Sequence, residues 1–177
     1  VLATENNTEI KISNIPNGTI LANGTIFNES DPPIKLNKNE SYILAIDGNL
    51  GSNLIGALIE SDKNVVVNSG SFGGSNDPTN TFQGDTNPPG RDIGFDQIVG
   101  ADKIGTEYIF VKGLGTNAIE KVLIIADEVG DTDIYINGNA TKIKTIKTGE
   151  KFILDGSAFE NNNLYIKTSK RVFAYQS

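Results

Sequence analysis

The chain has 177 residues, of which 37% are hydrophobic and 21% charged, with a formal net charge of −7. It contains no Cys, His, Met or Trp, which excludes disulfides, thiolate nucleophiles, Ser-His-Asp triads and zinc sites built on Cys or His. The acidic balance repels phosphate backbones, so nucleic acid is not an expected partner. No polybasic or amphipathic basic segment points to a membrane surface.

Short β-prone runs separated by Gly, Asn, Asp and Pro follow one another along the chain. Thr8–Ile12 (TEIKI) alternates and reads as a strand. Asn17-Gly18 and Asn23-Gly24 supply turns around Thr19–Ala22 and Thr25–Asn28. Asp31-Pro32-Pro33 breaks any ladder and opens the next strand. The segment SNLIGALIESDK has apolar spacing that also suits a helix. Its counterpart near the C-terminus, NNNLYIKTSKRVF, is β-branched, aromatic and alternating, so both are read as strand. Thr106–Lys112 (TEYIFVK) suits a half-buried strand. The run within NAIEKVLIIADE is read as strand Lys121–Asp127. Asp133–Asn137, Thr141–Ile146, Lys151–Leu154, Leu164–Thr168 and Arg171–Tyr175 complete the series. Asn137-Gly138 is a type I′ hairpin signal.

The chain also repeats itself. KLNKNESYIL matches TIKTGEKFIL, with Leu36, Glu40 and Tyr42 falling on Ile146, Glu150 and Phe152. Leu58–Ser69 aligns with Tyr165–Gln176 without a gap, and Thr8–Ile12 with Thr132–Ile136. Val1–Ala3 echoes Ile124–Ala126, so the chain reads as a slice of a longer array. The expected fold is an all-β sandwich built from two tandem, internally duplicated antiparallel units. Residues 1–70 form the first, 71–104 an irregular connecting insert and 105–177 the second, with both units sharing one core or packing closely. A unit of about 60 residues alone is marginal.

The insert carries the candidate chemistry. Asp77, Asp85, Asp92 and Asp96 are carboxylates suited to calcium, although no stretch has EF-hand or nonapeptide spacing. The favoured reading is that they serve turns through Asx hydrogen bonds, with calcium as the alternative. Arg91 beside Asp92 and Asp96 suits a bidentate ion pair that locks the segment, with Phe95 as its anchor. Paired aspartates would also suit glycoside hydrolysis, but nothing in the sequence sets their separation. Phe72, Asn76 and Phe82 are the expected binding-loop residues. No catalytic residue and no cofactor are assigned, although calcium binding is possible.

The stretches GALIESDKNVVVNSGSFGG, GFDQIVGADKIGTEYIFVKG, EKVLIIADEVGDTDIYING, KTGEKFIL and IKTSKRVFAYQ resemble the IgGFc-binding-protein N-terminal type of domain. Bacterial relatives of that type occur in large surface proteins of gliding Bacteroidetes, similar to substrates of the type IX secretion system. The resemblance implies a non-catalytic, extracellular adhesion module at the cell surface. Its partners would be neighbouring modules, another surface protein or a glycan, with self-association through a donated strand. The alternative is a calcium- or carbohydrate-binding module. The animal members' cysteines are missing here, so their disulfide-based features are not expected, and IgG binding does not follow from the family name.

Overall fold

The computed structural model describes residues 1–46, 53–74 and 92–176. Among these, every regular element is a strand or a single 3-10 turn, and all strand pairings with a defined register are antiparallel. The chain divides into two compact units. The first comprises Val1–Ser71 with Phe95–Val99, the second Phe72–Gly94 with Gly100–Ser177.

The first unit holds β1 (Leu2–Ala3), β2 (Thr8–Ser13), β3 (Ile34–Leu36) and β4 (Leu58–Ser61). β5 (Val65–Gly74) and β6 (Asp92–Ile98) belong to it for most of their length. One sheet runs β3-β2-β4 and another β1-β5-β6. β2 alternates Thr8 and Ile10 inward with Glu9 and Lys11 outward, the pattern that TEIKI encodes. Ile15, Leu21 and Phe27 form a small buried cluster beneath Ile12, Leu44, Ile46, Leu54 and Ala57. Thr19–Ala22 and Thr25–Asn28 do not form full strands. They meet only at an isolated bridge, Ile20↔Ile26, closed by Gly24 at φ +82°.

The second unit holds β7 (Gly105–Val111), β8 (Lys121–Ala126), β9 (Asp131–Ile136), β10 (Lys144–Lys147), β11 (Lys151–Asp155) and β12 (Asn163–Gln176). The sheet order is β10-β9-β12-β8-β11, with β7 also paired to β12. The two expected strands Leu164–Thr168 and Arg171–Tyr175 are one long strand. β12 pairs with β9 through Ile166–Thr168 and with β8 through Val172–Gln176. Its register on β7 shifts between Lys167 and Val172, so the strand turns a corner there and wraps the sheet round one core. Nine buried residues fill that core, among them Ile124, Ile134, Ile146, Leu164 and Ile166, each under 2% exposed. Burial of one such side chain is worth about 1.5–3 kcal/mol. Asn137 and Gly138 both take positive φ, 53° and 74°, as the hairpin signal requires.

The connecting segment 71–104 is not irregular throughout. β5 runs on to Gly74, and Asp92–Ile98 forms β6 paired to it. A β-strand partner was available to a segment that sequence inspection saw only as glycine-punctuated.

Candidate functional site

In the second unit, β7 presents different residues on its two faces because side chains alternate. Tyr108 and Phe110 pack against the core, ring centroids 6.2 Å apart and nearly parallel. The Tyr108 hydroxyl donates to the carbonyl of Val172 at 2.5 Å and accepts the N–H of Gly105 at 2.8 Å. On the opposite face stand Glu107, Ile109 and Val111. Ile109 is 71% exposed and Val111 64%.

Register brings this face against β12. Ile109 lies opposite Tyr165, Val111 opposite Asn163 and Glu107 opposite Lys167. Burial, and then the Glu107 carboxylate that takes its hydrogen bond, push the Tyr165 phenol above its ordinary pKa. Lys167 approaches Glu107 at 3.9 Å. Tyr135 of β9 sits opposite Lys167 on the other side. A shallow trough of about 570 Å³ lies here, lined by residues including Tyr135, Asn139, Tyr165, Lys167 and Ser169. The Asn137-Gly138 turn shapes one end. Asn137 Oδ1 accepts the N–H of Tyr165 at 3.2 Å, and its Nδ2 donates to the carbonyl of Ala158 at 2.9 Å.

Beyond Val111 the chain enters a loop organised by one carboxylate. Glu120 Oε1 accepts the N–H of Gly115 at 2.8 Å, and Oε2 accepts that of Gly113 at 3.1 Å. The donors, Gly115 first and Gly113 second, hold the Glu120 pKa below its ordinary value. A Cβ at Gly113 would fall 2.5 Å from Glu120 Oε1, and one at Gly115 2.8 Å, so a side chain at either position would push the carboxylate off these donors. Lys112 Nζ donates to Asn117 Oδ1 across the same loop. The outcome is a tethered loop with the Leu114 side chain wholly in solvent. Ile109 and Val111 thus stand exposed on the β7 face, Ile109 beside the half-buried Tyr165, and Leu114 is exposed in the loop that follows. Such a surface favours contact with another macromolecule.

A family model described as IgGFc binding protein matches residues 1–177, the whole chain. The chain belongs to that family. IgGFc binding domains are binding modules, typically extracellular, and the all-β build with an apolar exposed face is in keeping with that role. No curated protein and no solved structure matches the chain. No described helix is long and apolar enough to cross a membrane.

Of the residues singled out in the sequence, Arg91, Asn76, Asp77, Phe82 and Asp85 lie outside the described residues, as do the side chains of Phe72 and Asp92. Phe95, expected to be an anchor, is 55% exposed. Every described residue from Gly94 to Gly100 is exposed. Asp96 is exposed too, and its Oδ1 accepts the N–H of Gln97 at 2.8 Å. Among the described residues, no group of three or more Asp or Glu side chains stands close enough to hold a metal. The exposed face on β7 was missed by sequence reasoning. Its signal was present in TEYIFVK, where apolar residues fall on both faces of a single strand.

Proposed function

We propose that this IgGFc-binding-type domain is a non-catalytic, extracellular module of a large bacterial surface adhesin that docks a protein partner on the β7 face. The observation that carries the reading is the exposure of Ile109 and Val111 on β7, 71% and 64%. Folding leaves these side chains in water even though the strand's other face is packed. A partner that buries them gains about 25 cal/mol per Å² of apolar area. The charged rim of Glu107 and Lys167 would orient it. The test is adhesion of beads displaying the domain to surfaces coated with candidate host or bacterial surface proteins, IgG Fc included. Ile109→Glu with Val111→Glu should abolish whatever adhesion the native domain shows. Undiminished adhesion by a folded double variant would refute the docking face.

A second reading rests on the trough. Two tyrosines with Asn139 and Lys167 offer the stacking surface and polar groups that a sugar ring uses. A glycan array should then yield hits that Tyr135→Ala removes and Ile109→Glu does not.

A further inference from the structure

Strand pairing recurs between the two units. In the first, β2 pairs Thr8↔Leu36 and Ile10↔Ile34 with β3. In the second, β9 pairs Thr132↔Ile146 and Ile134↔Lys144 with β10. On its other side β2 pairs Ile10↔Ser61 and Ile12↔Ile59, and β9 pairs Ile134↔Thr168 and Ile136↔Ile166. Ala3↔Val65 recurs as Ala126↔Val172. Loop contacts recur as well. Glu40 Oε2 accepts the N–H of Asn37 at 2.6 Å, and Glu150 Oε2 that of Lys147 at 2.8 Å. Lys63 Nζ caps the carbonyl of Asn6, and Lys170 Nζ that of Val129, both at 2.6 Å. By these pairings β4 occupies in the first unit the place that the N-terminal half of β12 occupies in the second.

The two places differ on their far edge. In the second unit β7 pairs along that edge from Asn163 to Lys167 and brings Tyr108 and Phe110 over the core. Leu164 and Ile166 are 0% exposed there and Thr168 4%. The corresponding Ala57 and Ile59 are half-buried, and Ser61 is exposed. No strand among the described residues pairs with the far edge of β4. Asp62 N–H bonds to Glu9 O at 3.2 Å, so residues 62, 60 and 58 direct their backbone groups to β2. Ile59 and Ser61 direct theirs away from it. The edge carries no Lys or Pro, and its shortness (four residues) and the charge of Glu60 are what protect it from indiscriminate pairing.

We propose that the far edge of β4 accepts an extended strand from another polypeptide. The incoming strand runs antiparallel to β4 and carries bulky apolar residues at alternate positions, as β7 carries Tyr108 and Phe110. Its backbone pairs with Ile59 and Ser61, and its apolar side chains close over Ala57 and Ile59. This is strand addition at an open sheet edge, and it does not depend on the docking face of β7.

The probe is a second copy of Gly105–Leu123 grafted ahead of Val1, which places a β7 sequence as far from Val1 as β7 lies from Ile124. Amide hydrogen exchange at Ile59 and Ser61 should slow at least tenfold in the grafted chain. The same graft with Tyr108→Pro in the added copy should leave exchange unchanged. A free peptide of residues 105–113, added to the native chain, should shift the amide resonances of Leu58–Ser61 saturably, which covers the case of a graft that does not fold. Concentration-dependent protection in the native chain would support the proposal and name a second copy as the donor. Slow exchange at Ile59 and Ser61 in the dilute native chain would overturn it. So would equal protection by the proline graft, or neither graft nor peptide touching β4.

Discussion

Three strand pairings recur between the two units, β2-β3 as β9-β10, β2-β4 as β9-β12 and β1-β5 as β8-β12, and the units differ in how well they are closed. The second buries nine core residues under a sheet in which β12 is flanked on both edges. Among the described residues, the first buries a cluster of three with Ala3 and Ile10 also buried, and β4 is paired on one edge only. The comparison teaches that a residue's burial depends on what lies beside its strand as much as on its own position. Ile166 and Ile59 hold matching places, yet one is fully buried and the other only in part.

The largest test of the comparison is therefore a matched pair. Ile166→Ala should cost about 2–5 kcal/mol, the usual range for opening a packed core. Ile59→Ala should cost less than half as much, since part of its side chain is already in water. Urea unfolding of both variants decides it, and equal losses would show that the first unit is as closed as the second.

Next comes Gly156, buried where its N–H bonds to the carbonyl of Asn117 at 2.9 Å. A Cβ there would lie 2.7 Å from the Asn117 Cα, which is backbone and cannot step aside. Gly156→Ala should destabilise by about 1–3 kcal/mol, as overpacking does, read as a lowered Tm. The first unit should melt as before if it unfolds separately.

A subtler contrast lies at matching threonines, both fully buried. The Thr8 hydroxyl donates to the carbonyl of Glu5 at 2.8 Å, whereas the Thr132 hydroxyl has no partner among the described residues. Thr8→Val should lose about 0.5–1.5 kcal/mol, and Thr132→Val should be neutral or stabilising by up to about 1 kcal/mol. Chemical denaturation of the two variants would break the comparison if the signs were reversed.

Acid should act through Glu120. Its folded pKa is depressed by the N–H groups of Gly115 and Gly113. Its stabilising contribution is therefore present above the unfolded carboxylate value of about 4.3 and is lost as pH falls through the lower folded value. Thermal melts between about pH 5 and pH 3 should show a shallower loss for Glu120→Gln than for the native chain. The smallest stability effect is expected on the exposed face, where Ile109→Glu should stay within about 0.5 kcal/mol and alter binding instead.

The sequence was legible where local chemistry decides structure. Asn137-Gly138 named its turn, TEIKI named a strand by alternation, KVLIIA by its β-rich run, and quoted stretches from Gly56 to Gln176 carried the family resemblance. It was not legible where a strand's partner decides. The stretch from Asp92 to Ile98 looked irregular because glycine and aspartate weaken β propensity, and β5 overrides that by supplying a ladder. Leu164–Thr168 and Arg171–Tyr175 looked separate because the alternation breaks at Ser169, where β12 turns its corner.

Composition alone determined the class of chemistry, since a chain without Cys and His has no thiolate and no imidazole to offer. Alternation, β-rich runs and the match between copies pointed to strands for most elements. Only the tertiary structure decided which apolar residues are core and which are surface. Tyr108 and Ile109 are neighbours on one strand, and the sequence ranks them alike. Pairing with β12 turns one inward and leaves the other 71% in water, because side chains of a strand alternate and only one face meets the core.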